Sequence, residues 1–300
     1  MARRPGGATV VFPFRFAVNM LTAGTGPEWR ARCRRAEELG YDLILVADHL
    51  GMPAPFPSLV AAAEATTRPR LGTFVLNAGF WNPALLAREV ATTAALTGGR
   101  LELGLGTGYV RAEHEQAGIP FLPPGGRVDH LARTVEELTG ALKGDENTPR
   151  TPLLIGGNGK RVLRLAARHA DVMAFSGGRF TGEAVTVLTA EQLAERVAAY
   201  RGFEREAGRE TPAELNLLIQ RVIVTEDRPA AAAEFLPVAP YLTEAQVLDL
   251  PILAIGTVRE IADRLIGLRE RFGFSYLTVL EHAMEAFGPV IAELRGSTPS

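Results

Sequence analysis

The chain has 300 residues, 47% of them apolar, which is enough to bury the core of one large domain or two small ones. Its formal net charge of −2 gives no electrostatic reason to expect a nucleic-acid partner, and its single cysteine excludes an internal disulfide and a cysteine-based metal site. No apolar run reaches the roughly 18 residues that a membrane span needs. We therefore expect a cytoplasmic globular protein without metal or membrane.

Apolar runs that suit strands alternate with amphipathic stretches along the whole chain. Eight runs are predicted as strands: Phe14 to Met20, Leu43 to Ala47, Leu71 to Leu76, a run from Leu101, Leu153 to Ile155, Val172 to Phe175, Leu215 to Val224, and Tyr276 to Leu280. Helical patterns lie between them: Pro27 to Leu39, a run from Pro83, Arg127 to Leu142, Lys160 to Arg168, Glu191 to Tyr200, Ile261 to Phe272, and Ala283 to about Leu294.

Eight strands with intervening helices predict a (β/α)₈ TIM barrel, which typically takes roughly 250 residues. A doubly wound sheet is the alternative fold. We expect a single domain over residues 1–300 with a flexible tail at 1–13. The irregular stretches Pro120 to Gly126, Gly177 to Ala190 and Ala230 to Pro251 are interpreted as loop insertions on that barrel.

The densest pattern runs from Asn82 to Tyr109. Pro83 can open a helix, because the first helical residue needs no N–H, and Gly98-Gly99 can end it. The following apolar strand leads into a glycine-rich run that ends in Gly106-Thr107-Gly108, where the backbone can approach another group closely. A loop is expected after Tyr109, so the run does not fit a dinucleotide-binding fingerprint.

Polar residues at strand ends are candidates for chemistry, because active sites of such barrels lie at the carboxyl ends of the strands. His49 is the histidine among them, and Asp48 precedes it. A histidine titrates near neutrality and can pass a proton, and a neighbouring carboxylate can orient it. The alternative is that Asp48 caps the next segment and His49 has no role. The other histidines are expected to be structural: His114, His130, His169 and His282.

Two later strand ends favour a bound phosphate. Gly156-Gly157-Asn158-Gly159 ends a strand and begins a helix, where backbone N–H groups can bind an anion. One βα unit later, Ser176-Gly177-Gly178-Arg179 offers a hydroxyl, further N–H groups and a cation. Each cluster alone is typical of a turn, but the two together with an arginine indicate a phosphate site.

Three motifs give the chain a resemblance to one family: Ala36 to Asp42 leading to Asp48-His49, the signature from Asn82, and Pro152 to Gly157 with Ala170-Asp171. Over about residues 14–294 the chain resembles the luciferase-like monooxygenase superfamily, and within it the branch that depends on the deazaflavin coenzyme F420. The resemblance implies a (β/α)₈ barrel, coenzyme F420 or, alternatively, FMN as cofactor, and a homodimer.

The resemblance also implies roles for individual residues. Asp48 and His49 would lie beside the reactive face of the deazaflavin, with His49 as proton donor or acceptor. Asn77 and Ala78 would back the ring, often around a non-proline cis peptide. The remaining residues expected to contact the cofactor are Gly106 and Gly108, together with the phosphate-binding set Gly156, Gly157, Ser176, Gly177, Gly178 and Arg179.

One departure concerns the substrate. Sugar-phosphate dehydrogenases of the family carry a glutamate directly after the glycine-rich run, where this chain has Tyr109. Tyr109 can donate a hydrogen bond but rarely ionises near pH 7, which puts glucose-6-phosphate oxidation in doubt. Glu113, one helical turn on, could take the place of that glutamate.

Three functions remain open from the sequence. The first is an F420-dependent oxidoreductase that moves a hydride between deazaflavin C5 and a small organic substrate, with Asp48, His49 and Tyr109 as catalytic candidates. The second is a two-component FMN monooxygenase with a separate reductase. The third, from another class, is a non-catalytic flavin-binding barrel.

Overall fold

The computed structural model describes residues 12–143, 149–181, 184–237 and 239–296. The expected tail at 1–13 lies almost wholly outside the described residues. The strands are β1 Arg15–Met20, β2 Leu43–Val46, β3 Arg70–Thr73, β4 Leu76–Asn77, β5 Leu101–Gly106, β6 Leu153–Gly156, β7 Val172–Phe175, β8 Gly178–Thr181, β9 Ala184–Val187, β10 Glu214–Ile219, β11 Arg221–Val224, β12 Leu253–Gly256 and β13 Phe274–Leu280. The helices are α1 Gly26–Glu38, α2 Pro55–Ala65, α3 Pro83–Leu96, α4 Arg111–Gln116, α5 Pro124–Lys143, α6 Lys160–His169, α7 Ala190–Glu206, α8 Arg228–Ala233, α9 Glu244–Asp249, α10 Val258–Phe272 and α11 Met284–Gly296.

The main sheet is a closed parallel barrel. Its strands follow the order β3-β2-β1-β13-β10-β7-β6-β5-β4, and β3 also pairs with β5, which closes the ring. Strands β3 and β4 are the two halves of one interrupted strand. Counted as one, they give the barrel the eight parallel strands of the predicted (β/α)₈ fold. The alternative of an open doubly wound sheet is wrong, because such a sheet keeps two unpaired edges.

Two predicted strands are interrupted. The predicted strand Leu71 to Leu76 splits into β3 and β4 around a cis peptide bond between Phe74 and Val75. The predicted strand Leu215 to Val224 splits after Ile219, and β11 leaves the barrel to pair in parallel with β12. The first break has no polar residue between Phe74 and Leu76 to mark it, whereas the second falls at the polar pair Gln220-Arg221, a signal in the sequence that the single predicted strand passed over.

The structure also adds elements that the sequence did not predict. Helix α2 follows the Asp48-His49 turn, and the short helix α4 replaces the loop expected after Tyr109. The insertion at Gly177 to Ala190 contains the antiparallel hairpin β8–β9, and the insertion at Ala230 to Pro251 contains α9. Because α4 has six residues and one buried side chain, it lacks an apolar stripe that periodicity could detect.

Paired charges fill the amino-terminal end of the barrel. Arg15 lies 2.5 Å from Glu102 and 2.7 Å from Glu214, and Arg70 also reaches Glu102, at 2.6 Å. The Arg15 guanidinium lies 4.7 Å above the ring of the fully buried Tyr276. Buried charges are tolerated where they are paired in this way. The amino end of the barrel is thus filled by paired charged side chains and the Tyr276 ring.

The start of α3 provides a stability prediction. Asn82 caps this helix, with Oδ1 accepting from the main-chain N of Ala84 at 3.0 Å and of Leu85 at 3.3 Å. Asn82→Ala should lower the free energy of unfolding by about 1 kcal/mol in urea titrations, because two helix N–H groups lose their acceptor. Asn82→Ser restores a capping oxygen and should recover most of the loss. Equal destabilisation by both changes would contradict the capping role.

Candidate active site

His49 forms a hydrogen-bond contact with a side chain from a different part of the chain. Its Nδ1 lies 2.9 Å from Oε1 and 3.1 Å from Oε2 of Glu113, which α4 brings to the carboxyl end of the barrel. The His49 side chain is 26% exposed and that of Glu113 is 15% exposed, so the pair lies at the opening rather than in the core. Glu113, which the sequence offered as a replacement for the glutamate missing at position 109, therefore lies beside the predicted histidine.

In the described structure, the Asp48 side chain forms hydrogen bonds with residues other than His49. Its Oδ2 accepts from the main-chain N of Asn77 at 3.1 Å and from Nε1 of Trp81 at 2.9 Å. Burial raises the pKa of the Asp48 carboxyl above its ordinary value, while these two bonds oppose the rise. Asp48 thus ties the end of β2 to the end of β4. The carboxylate that contacts the imidazole comes from Glu113.

A second histidine joins this network through Asn77. The Asn77 Oδ1 accepts from the main-chain N of Gly79 at 3.0 Å, so its Nδ2 is the group that donates to Nε2 of His114 at 3.0 Å. His114 is 2% exposed and lies next to Glu113 on α4. The expectation that His114 is structural agrees with this bond, which fixes the short helix against β4. Helix α4 is therefore attached to two strand ends through consecutive side chains.

Tyr109 borders the same opening. Its ring centroid lies 5.8 Å from that of His49 in an edge-on contact, and the side chain is half exposed. Burial and the nearby Glu113 carboxylate raise the pKa of the Tyr109 hydroxyl, so it stays protonated at neutral pH. Leu50 and Met52 are also exposed on the loop that follows His49. The opening beside the His49–Glu113 pair is thus partly apolar.

The glycine-rich run lies against side chains of the neighbouring strand. A Cβ at Gly106 would lie 2.7 Å from Val75, and a Cβ at Gly108 would lie 2.1 Å from Oδ1 of Asn77. Gly108 also has a φ of +66°, which L side chains rarely adopt. The close approach that the sequence predicted is therefore made by Val75 and Asn77. The cis peptide lies at Phe74–Val75, before the Asn77-Ala78 position that the resemblance implied.

Ala78 has a packing role that is visible in the structure. It is 1% exposed, begins the 3-10 turn Ala78–Phe80, and its carbonyl oxygen accepts from Nε2 of His130 at 2.9 Å. His130 thereby links α5 to the strand end, in agreement with the structural role expected for it. Contacts of Asn77 or Ala78 with a cofactor stay a prediction.

The two predicted phosphate segments lie side by side. Nδ2 of Asn158 donates to Ser176 Oγ at 3.0 Å and to the main-chain O of Gly178 at 2.6 Å. Helix α6 starts directly after Gly159, and no side chain caps its first turn. The free N–H groups of that turn and the Ser176 hydroxyl therefore form one donor set that suits an anion.

Two glycines of these segments make contacts within the protein instead of leaving a group free for a ligand. The Gly157 N–H already donates to the Ala174 carbonyl oxygen at 3.1 Å, so it is not free for a ligand. A Cβ at Gly177 would lie 2.0 Å from Cγ2 of Ile252, which explains that glycine by packing. Arg179 lies in β8, and its side chain is outside the described part of the structure.

Four contacts at the site were not predicted from the sequence: Trp81 with Asp48, His114 with Asn77, Asn158 with Ser176, and Arg196 with the main chain of Asn158. Each joins residues at least 18 positions apart, so no local pattern reports it. Within the described ranges, no helix is both long and apolar enough to cross a membrane. The same residues contain no group of three or more His, Cys, Asp or Glu side chains that could hold a metal ion.

The model of the luciferase-like monooxygenase family matches residues 8–276 of this chain, and the chain belongs to that family. It is 30% identical over 226 residues to the F420-dependent glucose-6-phosphate dehydrogenase of Beutenbergia cavernae, covering 66% of this chain and 64% of that protein. It is 30% identical over 118 residues to the oxygenase component of the flavin-dependent trigonelline monooxygenase of Acinetobacter baylyi, covering 38% of this chain and 32% of that protein.

The fold agrees with solved structures. An F420-dependent secondary alcohol dehydrogenase in complex with an F420-acetone adduct superposes with a TM-score of 0.76 at 16% identity, covering 95% of this chain and 100% of that chain. This likeness establishes the luciferase-like barrel and nothing finer. The chain spans 58% of the length of three mycobacterial relatives to which it is 31% identical over 178 residues.

Proposed function

We propose that this protein is an F420-dependent oxidoreductase that transfers a hydride between the deazaflavin and a small organic substrate, with His49 as proton donor or acceptor. The observation that carries the proposal is the contact of His49 Nδ1 with Glu113 at 2.9 Å, at the carboxyl end of the barrel. Relatives that depend on F420 support the choice of cofactor.

The contact fixes which imidazole nitrogen can react. A carboxylate accepts hydrogen bonds, so Nδ1 of His49 carries the proton that faces Glu113. Nε2 is then left to give a proton to a substrate oxygen or take one from it. Glu113 holds the ring in this tautomer and stabilises the imidazolium that forms when Nε2 takes a proton. Tyr109, still protonated, can donate a hydrogen bond at the same opening.

The residues present fit a phosphorylated cofactor. The uncapped first turn of α6 and the Ser176 hydroxyl offer donors to a phosphate, and the first turn of α6 contains no acidic residue of its own. When bound, the deazaflavin supplies the hydride chemistry, and the protein supplies orientation and the proton. Glucose 6-phosphate, the substrate named for the dehydrogenase relative, is not proposed for this protein, because Tyr109 stands where sugar-phosphate dehydrogenases have a glutamate.

The second candidate is a two-component FMN monooxygenase. It is favoured by the similarity to a flavin-dependent oxygenase component and by the phosphate site, which suits FMN equally well. In that case a separate reductase would be a partner. The homodimer that the resemblance implies is likewise proposed for either function.

Titration of the purified protein with F420 and with FMN tests the choice between these functions. We expect tighter binding of F420, seen as a larger rise in the melting temperature at equal ligand concentration, since bound ligand stabilises the native state. Optical assays of deazaflavin reduction with a panel of alcohols should then detect turnover. Preference for FMN together with oxygen consumption from reduced FMN would replace the first proposal by the second.

A further inference from the structure

Helix α7 directs one arginine towards the phosphate end of the site. Arg196 donates from Nη1 to the main-chain O of Asn158 at 3.0 Å, and its side chain is half buried. The Nε atom of Arg196 is buried and has no hydrogen-bond partner among the described residues. The guanidinium also forms no ion pair with them. A positive charge without a neutralising carboxylate in the described structure therefore lies directly behind the turn at 156–159.

Asn158 connects this arginine to the Ser176 hydroxyl. While Arg196 holds the main chain of Asn158, the side-chain Nδ2 donates to Ser176 Oγ at 3.0 Å. Because Oγ accepts this bond, the Ser176 O–H must donate elsewhere. Its contact with the Gly178 carbonyl oxygen is 3.4 Å, which is long for a hydroxyl donor. Among the described residues, the Ser176 hydroxyl therefore has only this long bond to Gly178 and can donate to an anionic oxygen instead.

The charges at the start of α6 indicate the same kind of ligand. The first turn begins with Lys160 and Arg161 and contains no acidic residue. The positive end of a helix favours nearby anions, so this turn suits an anionic ligand. Arg161 already forms an ion pair with Asp129 of α5, whereas Arg196 has no ion pair among the described residues.

We propose that Arg196 is the cation that binds the cofactor phosphate, through its charge and by positioning Asn158 and Ser176. The inference rests on the proposed function only in assuming that a phosphorylated flavin or deazaflavin binds in the barrel. It assigns to α7 the role that the sequence gave to Arg179, and it concerns binding rather than hydride transfer.

The test compares ligands with and without the phosphate. FMN and riboflavin differ by the 5′-phosphate alone. F420 is paired with its ribityl deazaflavin core, which lacks the phosphate together with the side chain attached to it, so the FMN pair isolates the phosphate. Each is titrated against the full-length protein by fluorescence. The variants are Arg196→Gln and Arg196→Lys, and the matched control is Arg205→Gln, an exposed arginine on the same helix.

We expect the wild-type protein to bind the phosphorylated member of at least one pair about tenfold more tightly or better, a preference worth about 1.4 kcal/mol per tenfold. Arg196→Gln should remove most of this preference while leaving the affinity for the phosphate-free ligand unchanged. Arg196→Lys should retain part of it, because the charge remains but the planar fork is lost. Arg205→Gln should keep the full preference.

Two results would overturn the inference while leaving the proposed function intact: a full phosphate preference in Arg196→Gln, or an equal loss of affinity for both members of a pair. The second pattern would mean that Arg196 supports the barrel as a whole. Failure of the wild-type protein to bind any of the four ligands would overturn the proposed function and this inference together.

Discussion

His49→Ala is expected to lower kcat of the F420-dependent reaction by about 10³-fold while the affinity for F420 stays within about twofold of wild type. General acid–base catalysis by a positioned side chain contributes about 10²–10⁴-fold, and the partly exposed imidazole is the group proposed for it. The proposed phosphate donors lie on α6 and after β7, so loss of the imidazole leaves them in place. Stopped-flow turnover and a fluorescence titration measure the two quantities separately.

His282→Ala is the matched control, because His282 is an exposed histidine on the turn Glu281–Ala283. It should change neither turnover nor cofactor binding. The pH profile of kcat supplies a second readout: the limb that reports the imidazole should disappear in His49→Ala and persist in His282→Ala. Wild-type turnover in His49→Ala would remove this residue from the mechanism.

Glu113→Gln is expected to lower kcat by about 10²–10³-fold with little change in KM. A glutamine can still contact Nδ1, but it no longer requires the proton there and cannot stabilise the imidazolium. Steady-state kinetics of wild type and variant at neutral pH measure kcat and KM separately.

Glu115→Gln provides the comparison for this variant. Glu115 lies on the same short helix, is exposed, and is 3.9 Å from Arg111. It should leave kcat unchanged, which separates loss of the His49 partner from damage to α4. A cycle with His49→Ala adds a test of coupling, since residues that act as one unit lose activity non-additively. Additive losses would show that Glu113 acts independently of His49.

The barrel itself could be predicted from the sequence because its elements are encoded locally. Apolar runs of strand length alternate regularly with amphipathic stretches of helix length, which is typical of a βα fold. The described structure confirms all eight barrel strands. The positions of Asp48 and His49 at a strand end follow from the same local pattern. Where an element had no periodic signal, as in α4 with its six residues, prediction failed.

The glycine-rich run shows both sides of this division. Repeated glycine from Gly104 to Gly108 predicted that something comes close to the backbone. The sequence did not contain the identity of the neighbours, which are Thr73, Val75 and Asn77 of the adjacent interrupted strand. A missing side chain is a local property, but the atoms that fill the space are set by the packing of another strand.

The sequence by itself therefore determined the fold class, the strand-end histidine and the two donor segments after β6 and β7. Tertiary structure alone decided which carboxylate contacts His49: Glu113, 64 positions away, and not the adjacent Asp48. It also placed Arg196 behind Asn158, 38 positions apart. Backbone propensity and side-chain periodicity act over a few residues, whereas these contacts arise only when barrel closure brings separate loops to one end.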